Sequence, residues 1–333
     1  MKNYKKQKMI FYRLIRYVGR IACIKIIRKF ICVIRGYHVY TVIKKEYGSD
    51  TRLLVLPWNG TGDAVYFGQS FSHLFAPSAQ RKYVAVVWAE AGKKILEMFG
   101  IRRCKAVGVN NRNYLTAFAY FSNIDKQEIS FVHYAPNYHT SIMLCVEGIN
   151  GMNYFDMYSA AGFQFRRTRP ESGSSVTDME ELIVQNGAQV GKTVLLSPYA
   201  NTVKPIEMRY WSDLAEKLKE NGFSILTNAD GKEEAAIPGT RAVLVPYKNL
   251  IPFLEAAGWF VGYRSGLCDL AVSAHCNKYI LYPQKKRGVS GYSEFYDLSS
   301  FPGCNRPLSQ FVIQEGKEEQ TIDTVIKAIL GTL

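Results

Sequence analysis

WFVGYRSGLCDLAVSAHCNKYILYP, residues 259–283, reads as a strand, a glycine turn, a helix and a second strand. The apolar run Trp259 to Val261 reaches Gly262, and Ser265-Gly266 follows. Leu267, Leu270, Ala271 and Ala274 then recur at helical spacing, and a second apolar run, Tyr279 to Tyr282, stops at Pro283. A turn that brings a helix start against a ligand has no room for Cβ atoms, which is what glycine provides there. In an open α/β sheet such a helix start lies over the strand ends, where an anion is the favoured guest. Arg264, just before the turn, would add a planar cation. The same residues also fit an ordinary buried βαβ unit, with Ser265 as helix cap and Arg264 in solvent. Local pattern leaves both readings open.

Outward from this stretch, 333 residues suffice for two domains with sizeable cores. The seven cysteines include no CxxC, and the five histidines form no HExxH. We therefore expect neither a redox dithiol nor a metal site nor any cofactor. An odd cysteine count with no signal-peptide pattern suggests reduced thiols in a cytoplasm. Net charge is +14, but residues 1–50 hold thirteen Lys or Arg against Glu46 and Asp50, so the other 283 residues carry only +3. A nearly balanced body argues against nucleic acid as partner. Residues 9–35 are apolar with regular basic interruptions and contain no apolar run of about 20 residues, the length that spans a bilayer. We read residues 1–35 as an amphipathic helix lying on an anionic membrane surface, and 36–50 as a linker. A basic helix that covers its own domain is the plainer alternative.

Strands and helices then alternate. Leu53 to Leu56 is a strand, followed by Pro57-Trp58-Asn59-Gly60-Thr61-Gly62-Asp63 and an apolar helix from Ala64 to Leu74. Asp63 falls in the first helical turn, where the dipole favours an anion; it is either a simple cap or a carboxylate presented over the sheet. Runs at 84–87, 106–109 and 129–134 read as further strands, with helices at 91–99 and 114–121. Residues 135–175 mix aromatic and basic side chains, Tyr138, His139, Tyr154, Tyr158, Arg166, Arg167 and Arg169 among them, without a clear period. A second set of strands is expected at 194–196, 223–227 and 242–245, with helices at 210–220 and 250–257. The loop ending in Lys204 and the loop at Arg264 leave strands at one sheet edge, which lets both cations converge on one diphosphate; a Lys204 that stays in solvent is the plainer alternative. Residues 284–310 read as loop, and 319–330 as a helix crossing a domain boundary. The domains are thus 1–50, 51–190 and 191–333.

The order and spacing of these short motifs resemble the GT-B glycosyltransferases, closest to the heptosyltransferase-like family. Gly60-Thr61-Gly62-Asp63 is similar to the family's first-domain Gly-x-Gly-Asp turn. Val194 to Lys204, with Trp211 beyond, resembles its strand and Lys-ending loop. Ser265-Gly266-Leu267-Cys268-Asp269-Leu270-Ala271 resembles its Ser/Thr-Gly-x-x-His-Leu-Ala run. The likeness spans about residues 50–330. It implies two Rossmann-like domains facing a cleft, and an inverting, metal-independent transfer from a nucleotide-sugar donor to a saccharide or lipid-linked saccharide at the cytoplasmic face of the membrane. It implies Asp63 as general base, and Lys204, Arg264, Ser265, Gly266 and Asp269 around the donor. Two positions depart from the family, which usually has an acid where this chain has Arg264 and His where it has Asp269. The donor sugar therefore stays open.

The chemistry asks for these groups. An acceptor hydroxyl must lose its proton as it attacks the anomeric carbon, and a carboxylate within about 3 Å takes it. The leaving diphosphate gains charge that helix N–H groups and cations stabilise. Two other classes compete. A nucleotide-sugar epimerase would need further acid–base residues that the sequence does not single out, and a non-catalytic scaffold of polysaccharide assembly would tolerate the changes at 264 and 269.

Overall fold

The computed structural model describes residues 27–56, 60–79, 82–122, 128–131, 168–201, 203–284, 292–301, 303–305 and 307–332. In chain order the elements begin α1 (27–47), β1 (Arg52–Val55), α2 (Thr61–Phe71), β2 (Tyr83–Val87), α3 (Glu90–Met98), β3 (Cys104–Ala106), α4 (Gly108–Phe121) and β4 (Ile129–Phe131). They continue with α5 (Val176–Gln185), β5 (Thr193–Ser197), α6 (Met208–Glu220), β6 (Ser224–Asn228), β7 (Arg241–Val243), α7 (Tyr247–Ala257) and β8 (Gly258–Tyr263). The last are α8 (Gly266–Ala271), β9 (Asn277–Pro283), α9 (Tyr292–Phe295), β10 (Leu308–Ile313) and α10 (Glu318–Leu330).

The described residues fall into two compact units. One draws on Met1–Pro57, Ser78–Glu90 and Arg103–His133, the other on Trp58–Pro77, Ala91–Arg102 and Tyr134–Leu333. Helix α2 and nearly all of α3 thus group with the later residues, although the strands around them belong to the first unit.

The first unit holds a parallel sheet in the order β3-β2-β1-β4. Leu53 and Val55 point to the same face as Val84 and Val86, and α4 covers them with Leu115 and Phe118. Residues 36–50 are not a linker. Helix α1 runs on through residue 47 because Val33, Val39, Tyr40, Ile43 and Tyr47 recur on one helical face and pack on this core. Gly36 sits on the same face, where a Cβ would overlap the Tyr114 carbonyl oxygen and the Phe118 side chain. It does not break the helix; it lets α1 close on α4. The expected segment 1–26 lies outside the described residues.

The second unit holds a six-stranded parallel sheet, β10-β9-β8-β5-β6-β7. Counted from β5, this is the doubly wound order 3-2-1-4-5-6, whose direction reverses between β5 and β8. Trp211, Leu214 and Leu218 of α6 and Ile322, Val325 and Ile329 of α10 bury one face of this sheet. Against the other side, α7 carries Pro252 in its interior. The N–H that proline lacks would have met the Lys248 carbonyl, and the Gly173 N–H takes that place at 2.9 Å. One strand was not foreseen. β10 lies where a loop was expected to end, and it pairs in parallel with β9, Leu308 opposite Lys278. Its partly exposed residues alternate poorly because it is an edge strand.

Gly36→Val is expected to lower stability by about 1–3 kcal/mol through overpacking against a backbone carbonyl. Urea unfolding measures this; an unchanged midpoint would mean that α1 does not seat on α4.

Candidate functional site

The site is built where the α2 turn meets the α8 turn, all of it within the second unit. Helix α2 starts at Thr61, with Gly60 as an extended N-cap that offers no side chain to the first N–H groups. Asp63 is therefore not the cap residue; it stands three positions on. Its carboxylate folds back over Gly60, where a Cβ would overlap Oδ2, and it remains partly exposed. Negative charge over the first turn is favoured by the helix dipole.

Ser265 is the N-cap of α8, extended in backbone and without a side-chain cap bond. The two turns interlock. A Cβ on Gly266 would overlap Thr61 Oγ1, and a Cβ on Gly62 would overlap the Asp269 carboxylate and come within 3.6 Å of Gly266 Cα. Glycine is required on both sides because two backbones approach closely.

Beneath this contact lies a buried ionic cluster. The Arg264 and Asp269 side chains are 5% and 4% exposed. Arg264 Nη2 donates to Asp269 Oδ1 at 2.7 Å and Nη1 to Oδ2 at 3.1 Å, a two-pronged pair. Arg264 Nη1 also donates to the Ser265 carbonyl at 2.7 Å, fixing the backbone at the head of α8. From α2, the Tyr66 hydroxyl donates to Asp269 Oδ1, and Arg264 Nη2 lies 3.4 Å from it. Tyr296 lies under the guanidinium, 5.7 Å from ring centre to Cζ, and Phe301 meets Tyr66 edge-on at 5.6 Å. Burial, then the Asp269 charge, holds the Tyr66 hydroxyl well above the usual phenol range, so it stays a donor. Burial likewise pushes the Cys268 thiol up to about 11, which makes it an inert neighbour.

Arg264 is thus neither in solvent nor extended toward a ligand: Asp269 holds both its terminal nitrogens. Lys204 is different. β5 and β8 are adjacent and parallel, Ser197 opposite Gly262, so the loops after them leave one sheet edge at the point of reversal. The Tyr263 hydroxyl donates to the Lys204 carbonyl at 2.7 Å and ties the loop to the end of β8. The Lys204 ammonium is 82% exposed, 3.5 Å from Glu315, a surface pair of little strength. Of the irregular region, residues 132–167 lie outside the described residues, with Tyr138, His139, Glu147, Tyr154, Asp156, Tyr158, Arg166 and Arg167. Arg169 pairs with Glu255 at 2.7 Å. Tyr66 was not singled out from the sequence, where it reads as one more ring on an apolar helix.

No protein-family model matches the chain, and no curated protein matches it. Solved structures do. An E. coli ADP-heptose LPS heptosyltransferase II superposes with a TM-score of 0.54 at 12% identity, over 84% of this chain and 98% of that one. A glycosyl transferase family 9 protein from Veillonella parvula DSM 2008 gives 0.51 at 13% identity, over 83% and 95%. The chain has the GT-B fold. Its two Rossmann-like domains resemble the heptosyltransferase-like group. Identity this low carries the fold and not the residue roles.

Asp269→Ala is expected to cost about 3–5 kcal/mol, because it strands Arg264 without its counter-charge in a buried place. Replacing both, Arg264→Met with Asp269→Leu, should recover most of that loss. Equilibrium unfolding of the three proteins checks this; a single variant as stable as wild type would contradict the buried pair.

Proposed function

We propose that the chain is a glycosyltransferase that moves a sugar from a nucleotide-sugar donor to a saccharide or lipid-linked saccharide acceptor. The observation that carries the reading is the partly exposed Asp63 carboxylate at the head of α2, on a turn seated directly on the head of α8. A base and an anion-binding helix start within one constellation are what inverting transfer requires. The GT-B fold supports the reaction class.

In this reading Asp63 takes the proton of the acceptor hydroxyl as its oxygen attacks the anomeric carbon, and inversion follows from attack opposite the leaving diphosphate. Lys204 neutralises that diphosphate; its exposed ammonium can leave Glu315 at little cost. Ser265 and Gly266 supply the helix-start N–H groups. Arg264 and Asp269 act on the donor through the backbone they fix, since the Arg264–Ser265 bond orients the head of α8. No metal takes part in this scheme. Residues 1–35 would hold the enzyme to an anionic membrane surface, where a lipid-linked acceptor resides, at the cytoplasmic face. Nucleic acid has no role.

Incubation with a panel of nucleotide sugars, with and without acceptor, tests the class: released nucleoside diphosphate with a glycosylated product supports transfer, an altered free sugar nucleotide would mean epimerisation, and no turnover would mean a scaffold. Asp63→Asn keeps the size and removes the base. Turnover should fall by about 10²–10⁴-fold while nucleotide affinity and melting temperature hold; near-normal turnover would remove Asp63 from the mechanism. Lys204→Ala should weaken nucleoside diphosphate binding by roughly 1.5–3 kcal/mol, the worth of a charge-assisted contact. Calorimetry with the free nucleotide decides, and unchanged affinity would return Lys204 to solvent.

A further inference from the structure

Helix α1 is apolar on two opposite faces. Its inner face packs on the first unit's core. Ile27, Phe30, Ile31, Ile34, Tyr37 and Val42 are all exposed, Phe30 at 67%. At 100° per residue they share one arc, centred opposite Gly36 and Ile43. Lys29 falls on the inner side with Gly36 and Ile43, where its Nζ lies 5.9 Å from the centre of the Phe121 ring of α4. Clustered apolar exposure of this kind marks a surface that something covers.

Charge says what. Arg28 and Arg35, seven residues apart, border one edge of the arc, Arg35 also donating to the Tyr114 hydroxyl at 2.8 Å; residues 27–45 contain no acid. Aromatic and aliphatic side chains beside a cationic border match an anionic lipid interface, where rings enter the headgroup layer and cations meet phosphates. A second copy of this face would bring the same cations against each other. Residues 1–26 carry eight Lys or Arg and no acid, so they add to the positive potential and do not neutralise it. No helix among the described residues is long and apolar enough to cross a membrane.

We propose that the outward face of α1 is a built-in docking surface for anionic membrane lipid. It deepens, and rests on, the membrane attachment put forward above, and moves it from an appendage ending at residue 35 to a face of the folded unit that reaches residue 42.

The test is co-sedimentation of the full chain with phosphatidylcholine vesicles, with and without one-third phosphatidylglycerol. Wild type should bind the anionic vesicles only, and less as salt rises. Phe30→Ser with Ile34→Ser should lower partitioning about tenfold or more, and Ile27→Ser with Ile31→Ser severalfold, because each removes apolar area from the interface. Melting temperatures should hold, since these side chains are exposed, and donor turnover in solution should hold too. Binding that survives both double variants but is lost on deleting residues 1–26 would overturn the docking face while leaving attachment through the basic segment intact. No binding by wild type would overturn both. A wild-type dimer that the double variants convert to monomer would make the face a subunit contact and overturn the proposal. None of these outcomes bears on sugar transfer, which is measured without vesicles.

Discussion

Two charges of opposite sign, buried together under two glycine turns, hold the candidate site in register. Arg264 and Asp269 are five residues apart on one turn and short helix, and the hydroxyl that closes their hydrogen bonding comes from Tyr66 on α2. Neither charge is tolerable there alone, because removing an ion from water costs several kcal/mol and only the partner offsets it. The pair therefore makes the head of α8 and the head of α2 interdependent. Asp63 lies one helical turn before Tyr66, so its position depends on this ion pair through Tyr66.

This cluster changes the meaning of the two departures from the heptosyltransferase-like pattern. Taken separately, Arg264 adds a cation where the family usually has an acid, and Asp269 removes a donor where it has His. In the folded chain the two are partners: Asp269 accepts from both terminal nitrogens of Arg264, and both side chains are buried. The planar guanidinium fork matches the carboxylate in both prongs.

The sequence made the fold legible wherever one period dominated. β5, β8 and β9 are buried apolar runs, and α6, α7 and α10 have clean helical spacing, so the second sheet could be read nearly strand for strand. β10 escaped because an edge strand has one half-exposed side and LSQFVI alternates weakly. Residues 36–47 escaped because Gly36 and the polar 44–50 stretch look like a break, while the helix is held by tertiary packing that propensity does not record. At the site, the glycine turns and Lys204 were visible as motifs. The Arg264–Asp269 pairing was within reach: two opposite charges in a stretch otherwise rich in buried residues have few partners but each other. Tyr66 was not, since nothing in an apolar helix distinguishes a core tyrosine from one whose hydroxyl completes a distant ion pair.

The N-terminal helix shows the same limit from the other side. The sequence suggests an amphipathic helix over residues 1–35 lying on an anionic membrane surface, with a basic helix that covers its own domain as the alternative. The folded chain has two apolar faces, and only contacts separate them: Gly36, Tyr40 and Ile43 meet protein, whereas Ile27, Phe30 and Ile34 stay largely exposed. A helix that was merely a cover for its own domain would need only the first set. An appendage evolved only for attachment would need only the second, and would have no reason to place a glycine against the Tyr114 carbonyl. Both sets on one rigid helix tie the two tasks together mechanically. Whatever seats the outward face also fixes the orientation of the first unit's sheet, because α1 and that sheet share one core.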